Sequence, residues 1–265
     1  MGFRRTTAEM AQIQQTLSDV EFVGGESLSV DFLTRPEIVR ALLPAELQPG
    51  DRPRITAQVS RWRSNCVGDF DASAMYVSAR YGDVEGDYVL TMFMDTDMPM
   101  LFGRDLYGEP KKIGASKLYR NDGHMSGHLE RGGTRLIEIE ADLDEDSGPT
   151  TVLGRNFNVK YELAPDGSAL VGAPTLTMAE FDQTVTVRRR ARATLRLGTT
   201  VHDPLGDLEV LEVLGAVYVE TGMKASCVPV AALDADAFLP LALGRSDYWP
   251  ALATARLPLA SAAAR

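Results

Sequence analysis

Two adjacent lysines, Lys111 and Lys112, leave an unusually apolar stretch of a 265-residue chain, the run YVLTMFMDTDMPMLF from Tyr88 to Phe102. Such a run reads as core, and ammonium groups are costly to take out of water, so amines issuing from it ask for a chemical reason. Pro110 fixes the backbone just before them, and Gly108 and Gly114 permit sharp turns on either side. A rigid loop presenting an amine to an apolar cavity is what imine chemistry with a ketone requires. The attacking amine must be neutral, and with a reference pKa of ~10.4 only about one lysine in a few thousand is neutral at pH 7. Removal from water and a neighbouring positive charge both raise that fraction. Adjacent side chains diverge in strands and helices, so the company of Met92, Phe93, Met94, Met98, Met100 and Phe102 makes desolvation the firmer device.

Further candidates surround this pair. Arg104 is suited to hold a carboxylate as a bidentate fork, with an ion pair to Asp95 or Asp97 as the competing use. Tyr107 stands four residues before Lys111 and Glu109 closer still, while Phe93 is taken as part of the substrate-binding wall. Tyr218 and Glu220 share one face of a long strand whose other face carries Val217 and Val219. A polar pair so placed inside a barrel can act as acid and base, although a tyrosine in a strand also serves as plain packing.

The segment GRDLYGEPKKIG (Gly103–Gly114), with the upstream GDYVLTMFMD, resembles the acetoacetate decarboxylase superfamily. That family carries G-R-[DE]-x-x-x-x-P-K-K-x-[GA], and its first lysine forms a Schiff base with the substrate. The resemblance places the Schiff-base lysine at Lys111 and its partner at Lys112. It extends over nearly the whole chain, through SVDFLTRPEIVRALLPAEL, GRNFNVKYELAPDGS and EVLEVLGAVYVETG. What it implies is a cone or barrel of antiparallel sheet with the lysine loop reaching the interior, a small keto-acid substrate and a homo-oligomer.

The chain departs from the family pattern in one respect that bears on chemistry. The catalytic glutamate of classical members, in a Y-x-E pattern, falls at Ala72. Asp69 and Asp71 are near, but one residue off on a strand means the opposite face. The family's further upstream glutamate and early arginine fall near Ala57 and Gly25. Three functional readings therefore stand: decarboxylation of a small keto acid, an aldolase–dehydratase or cyclase reaction on a pyruvate-like acid with the same lysine, and a barrel that binds small molecules without catalysis.

The elements that must position these residues are mostly strands. Ser27–Leu33, Ile55–Trp62, Ala72–Tyr81 and Tyr88–Asp95 are read as strands, the last two joined by the turn at residues 82–86. A short helix from Met98 to Tyr107, capped by Asp97, delivers the lysine loop. Lys117–Arg120, Met125–Glu130, Thr134–Asp142, Phe157–Leu163, Thr175–Phe181, Val185–Leu197 and Leu208–Glu220 follow as strands, and a helix from Pro229 to Leu243 closes the chain. Helices are also read at Ala8–Leu17, within an N-terminal arm (1–20), and from Pro36 to Leu43; Gln48–Pro53 is a loop and 251–265 a frayed tail. Ten or so strands with a few short helices and no βαβ alternation predict one α+β domain over 1–265, mainly antiparallel.

Composition narrows the rest. A net charge of −10 argues against nucleic acid, since phosphate binding needs a positive footprint. No apolar run reaches the ~18–20 residues of a membrane span, and Cys66 and Cys227 read as reduced thiols of a cytoplasmic protein. His124, His128 and Glu130 lack the spacing of a metalloprotease or cysteine cluster and read as a solvated turn; no metal and no cofactor is expected.

Overall fold

A computed structural model of the protein describes residues 2–247. Its strands are β1 (Val20–Leu33), β2 (Gln48–Pro49), β3 (Arg54–Ser64), β4 (Gly68–Tyr81), β5 (Val84–Met94), β6 (Lys111–Ile113), β7 (Ala115–Asn121), β8 (His124–Arg131), β9 (Thr134–Asp146), β10 (Thr150–Lys160), β11 (Thr175–Leu197) and β12 (Glu212–Ala232). Four short helices accompany them: α1 (Thr7–Ser18), α2 (Pro36–Leu42), α3 (Asp97–Phe102) and α4 (Ala235–Gly244). Pairing in the order β10-β5-β4-β3-β1-β12-β11, with β11 returning to β10, closes a barrel. The pairings are antiparallel except β5–β10 and β5–β6, so the expected antiparallel cone is a mixed closed barrel. From β11 the sheet continues as a meander, β9-β8-β7, which packs across β3 and β4.

Strand alternation divides the molecule into a core and a cavity. In β3, Ile55, Ala57 and Val59 are fully buried and join one apolar cluster with Met125, Leu129, Ile137 and Ile139 of the meander. The residues between them, Arg54, Thr56, Gln58, Ser60 and Trp62, line the barrel interior. β1 divides in the same way, with Leu28, Val30 and Phe32 in the core and Ser27, Ser29 and Asp31 inside the barrel. The main core therefore lies between barrel wall and meander, and the interior is free to hold a ligand.

Local chemistry explains most element ends. Thr6 and Glu9 form a reciprocal capping box at the start of α1, a helix with no buried residue, which makes it a peripheral arm. Pro36 opens α2. Four expectations need correction. β12 runs through Pro229, tolerated at a register irregularity opposite Leu176 and Thr177, and α4 starts only after Asp234, whose side chain accepts from the Ala237 amide. Thr175–Leu197 is one strand, bulged between Val185 and Val187, and not two. Gln48 and Pro49 pair with β4. The run Tyr88–Phe102 is not all core, since Met98 and Leu101 are exposed. The tail from Ala251 lies outside the described residues. Among the described residues no helix is long and apolar enough to cross a membrane.

Candidate active site

β6 is three residues long and lies parallel to β5, with Met92 opposite Lys111 and Phe93 opposite Lys112. Alternation sends the two amines to opposite faces. The chain reaches β6 through α3 and one π-helical turn, Gly103–Tyr107, a local widening frequent at functional sites. Gly108 ends the turn at φ 77°, where a Cβ would press on the Lys160 backbone. The Glu109 amide donates to the Gly103 carbonyl at 3.0 Å, and the Met92 amide to the Pro110 carbonyl at 3.1 Å. Arg104, an expected carboxylate clamp, instead donates through Nη1 to the Lys111 carbonyl at 3.1 Å. It makes neither of the ion pairs weighed for it, and it borders a different hollow from the one Lys111 enters.

Lys111 points into the barrel and is only 8% exposed. Its Nζ lies 2.7 Å from Glu109 Oε2 and donates to the Pro99 carbonyl at 3.1 Å. Glu109 is itself buried, and the contact is an ion pair without hydrogen-bond alignment: Oε2 accepts no hydrogen bond from the described residues. A Cβ on Gly103 would collide with both the Glu109 carboxylate and the Lys111 side chain, so this glycine supplies the space that the pair occupies. Around the amine stand Phe22, Trp62, Phe70, Ala72, Met92 and Met94, the apolar end of a cavity of about 320 Å³. Tyr107 packs on Phe102 at 5.4 Å between ring centroids and borders a small recess off this cavity together with Lys111 and Glu109. Burial, and then the negative groups near it, push its phenol up.

The places of the missing family residues are equally definite. Ala72 is buried with its methyl on the cavity wall near Lys111. Asp71 faces away, paired with Arg61 at 3.1 Å and Lys117 at 2.7 Å. Ala57 belongs to the core, whereas its neighbour Gln58 lines the cavity. A Cβ on Gly25 would run into the Trp62 ring, which leaves no room there for an arginine.

The remaining candidates sit elsewhere. Lys112 Nζ binds Asp203 at 2.7 Å, Asp247 at 2.9 Å and the His202 carbonyl at 2.9 Å, behind the lysine loop. Arg131 joins both carboxylates, and to Asp203 the distance is 2.5 Å. Burial pushes the Asp247 carboxyl up, but Arg131 and Lys112 outweigh it and hold the group below its usual 3.8. One ammonium therefore does not press on the other. Tyr218 shares its hydroxyl between Glu26 (2.8 Å) and Glu220 (2.9 Å) in a separate hollow with Arg61 and Arg120. Burial and these acceptors push its phenol up, and neither Tyr218 nor Glu220 meets Lys111. Phe93 is fully buried in the core, on the face opposite the cavity. His124 bridges Asp142 and Glu140 at 3.0 and 2.9 Å and His128 stacks on Tyr119; the described residues contain no cluster able to hold a metal.

Sequence reasoning named Glu109 only in passing and missed Arg54, Asp31, Asp87, Tyr76 and Gln58, which line the cavity away from the lysine. The alternation of β3 held the signal: Arg54, Thr56, Gln58 and Ser60 recur at every second position, a polar face that a closed barrel turns inward.

Comparison with known proteins gives a consistent result. A family model described as acetoacetate decarboxylase (ADC) matches residues 5–234. The acetoacetate decarboxylase of Burkholderia vietnamiensis is 30% identical over 208 residues, covering 75% of this chain and 82% of that protein. That of Burkholderia ambifaria is 29% identical over 206 residues, covering 75% and 82%. In fold the chain is similar to the crystal structure of acetoacetate decarboxylase from Legionella pneumophila, with a TM-score of 0.74 and 22% identity over 81% of this chain and 88% of that one. It is also similar to the enduracididine biosynthesis enzyme MppR complexed with the condensation product of pyruvate and imidazole 4-carboxaldehyde, with a TM-score of 0.70 and 20% identity over 80% and 88%.

Proposed function

Because the chain belongs to the acetoacetate decarboxylase family, we propose that it is a carbon–carbon lyase whose Lys111 forms an imine with the ketone of a small keto acid. The observation that carries this reading is the Lys111 amine, buried on the apolar wall of the barrel cavity with the Glu109 carboxylate 2.7 Å away. Glu109 takes a proton from the ammonium, the amine adds to the ketone, and the carbinolamine loses water to give an iminium. Cleavage of the bond to the carboxylate then sends its electron pair into the iminium, releasing carbon dioxide and leaving an enamine. Protonation at carbon and hydrolysis free the product and the lysine. Glu109 is the group placed to return the protons that these steps require. The apolar walls favour the cleavage, since a localised carboxylate charge is replaced by a neutral enamine and carbon dioxide.

The methyl of Ala72 on the cavity wall supports a second reading. At the position where classical members of the family have a carboxylate, residue 72 offers only a methyl, and the same iminium of a pyruvate-like acid can lose a proton, condense with an aldehyde and dehydrate. The test is intact-mass analysis after borohydride reduction with acetoacetate and, separately, pyruvate. A reduced adduct in the wild type and none in Lys111→Ala supports the imine. Carbon dioxide release from acetoacetate selects decarboxylation, and an ultraviolet-absorbing enone from pyruvate plus an aldehyde selects condensation. No adduct with any ketone moves the weight to a non-catalytic binding barrel. A homo-oligomer and a cytoplasmic location belong to the same proposal, the first checked by light scattering.

A further inference from the structure

The cavity is longer than a three- or four-carbon keto acid needs. Its wall strand β5 carries Met92 beside Lys111 and Asp87 towards the other end; because of a bulge between Val89 and Thr91 they lie opposite Ala74 and Ser78 of β4, four residues or ~13 Å apart at about 3.3 Å per residue. Tyr76, Gln58 and Ser29 form a polar belt partway along: the Tyr76 hydroxyl stands 3.5 Å from Gln58 Oε1, and Gln58 Nε2 donates to Ser29 Oγ at 2.9 Å. Beyond the belt is an outer chamber built on Arg54. Its guanidinium joins Asp31 of β1 (3.2 Å) to Asp87 of β5 (2.8 Å) and donates to Thr56 at 2.6 Å.

This chamber is short of donors. Arg54 and Thr56 engage only Oδ1 of Asp31, and Arg54 only Oδ1 of Asp87, so Oδ2 of each carboxylate receives no hydrogen bond from the described residues. Two carboxylates face one guanidinium, and the neighbouring Arg155–Glu180 pair, at 2.8 Å, is internally neutral, which leaves one negative charge in excess. Asp31 and Asp87 are 44% and 31% exposed, so a ligand entering from solvent meets them before it reaches Lys111.

Resting on the imine reading, we propose that the outer chamber is a subsite for a cationic, hydrogen-bond-donating head group, and that the substrate is an extended keto acid with an ammonium-type group at the end remote from its ketone. The head group bridges the free Oδ2 atoms of Asp31 and Asp87, the chain passes the Tyr76–Gln58 belt, and the ketone meets Lys111 in the apolar chamber.

Borohydride trapping tests this with three acids on one frame: phenylpyruvate, 4-(aminomethyl)phenylpyruvate and 4-carboxyphenylpyruvate. A charge-assisted hydrogen bond makes the aminomethyl acid half-saturate trapping at a concentration about tenfold lower than phenylpyruvate, with the carboxy acid the weakest. That preference ratio collapses towards one in Asp87→Asn and in Asp31→Asn. Circular dichroism checks the fold of each, and the more exposed Asp31 carries the test should the Asp87 variant not fold. Equal half-saturation for all three acids, or a preference unchanged in both variants, overturns the proposal. Calorimetric titration with 4-(aminomethyl)phenylacetate, which has no ketone, separates the subsite from the imine. Binding by the wild type that is lost in the variants upholds the subsite even if no acid is trapped; binding that is absent, or the same in all, overturns it.

Discussion

Replacing Lys112 with methionine separates the two lysines that the sequence sets side by side. Lys112 and Asp203 are 9% and 3% exposed, so their contact is a buried ion pair, and Arg131 and Asp247 complete the group. Removing one partner of a buried pair typically costs ~3–5 kcal/mol. Arg131 still pairs with both acids in Lys112→Met, although it balances only one of their two charges, and these retained contacts put the cost at the lower end, about 3 kcal/mol. At about 2–4 °C per kcal/mol for a chain of this size, the melting temperature falls by roughly 6–12 °C. Scanning calorimetry measures the fall, and borohydride trapping well below both transitions reads the chemistry in the same preparation. The expected result is a less stable protein that still yields the reduced adduct, whereas Lys111→Met yields none. If Lys112→Met melts with the wild type, the buried-pair argument fails; if it is folded yet gives no adduct, Lys112 acts on the reacting amine and the argument from opposite faces fails.

Gly103→Ala places a methyl where Glu109 and Lys111 meet; a destabilisation of about 1–3 kcal/mol in urea titrations is expected, with trapping slowed at least tenfold. Wild-type trapping rates in that variant would show that the pair does not need this space. Ala72→Glu restores a carboxylate to the cavity wall and is expected to increase carbon dioxide release from acetoacetate while lowering thermal stability, because the new charge is buried; an unchanged rate would mean that position 72 does not govern decarboxylation. On acidification, Asp247 contributes its stabilisation in full above its unfolded value near 3.8 and loses it as the pH falls through its lower folded value, so Asp247→Asn flattens the decline in melting temperature below about pH 4. In an NMR titration His124 loses its proton above pH 6.5, held up by the hydrogen bonds its ring donates to Asp142 and then Glu140, and His128 below it, pushed down by desolvation; the reverse order would contradict the β8–β9 register.

What the sequence made legible depended on how local the determining physics is. The GRDLYGEPKKIG segment fixed the lysine loop because proline, glycine and adjacency act within a few residues, and alternation placed Ala72 and Asp71 on opposite faces correctly. The same alternation, applied to Tyr218 and Glu220, identified their shared face but not which hollow it borders, since that depends on the pairing of β12 with β1 and so on residues near 26. Arg54, Gln58 and Asp31 were passed over because a polar face on a half-buried strand reads as solvent-facing until the barrel closes. Pro229 read as a helix start because it was weighed without its strand partner at Thr177. Local signals gave elements and the reactive loop; closure decided which polar residues face each other.

The clamp on Lys112 also sets a sequence of events in biosynthesis. Asp203 and Asp247 lie 91 and 135 residues beyond the lysine they hold. At about 5–20 residues per second, a ribosome delivers Asp247 roughly 7–27 s after Lys112. Until Asp203 arrives, about two-thirds of the way through that interval, β6 can align with β5, but Lys112 on its rear face has no counter-charge. Long-range closures of this kind are also the slow ones in folding. Lys112 is thus made well before the acids that hold it, and a chain stalled or cleaved before Asp203 carries the whole sequence motif with Lys112 unpaired and the cavity strand β12 not yet made.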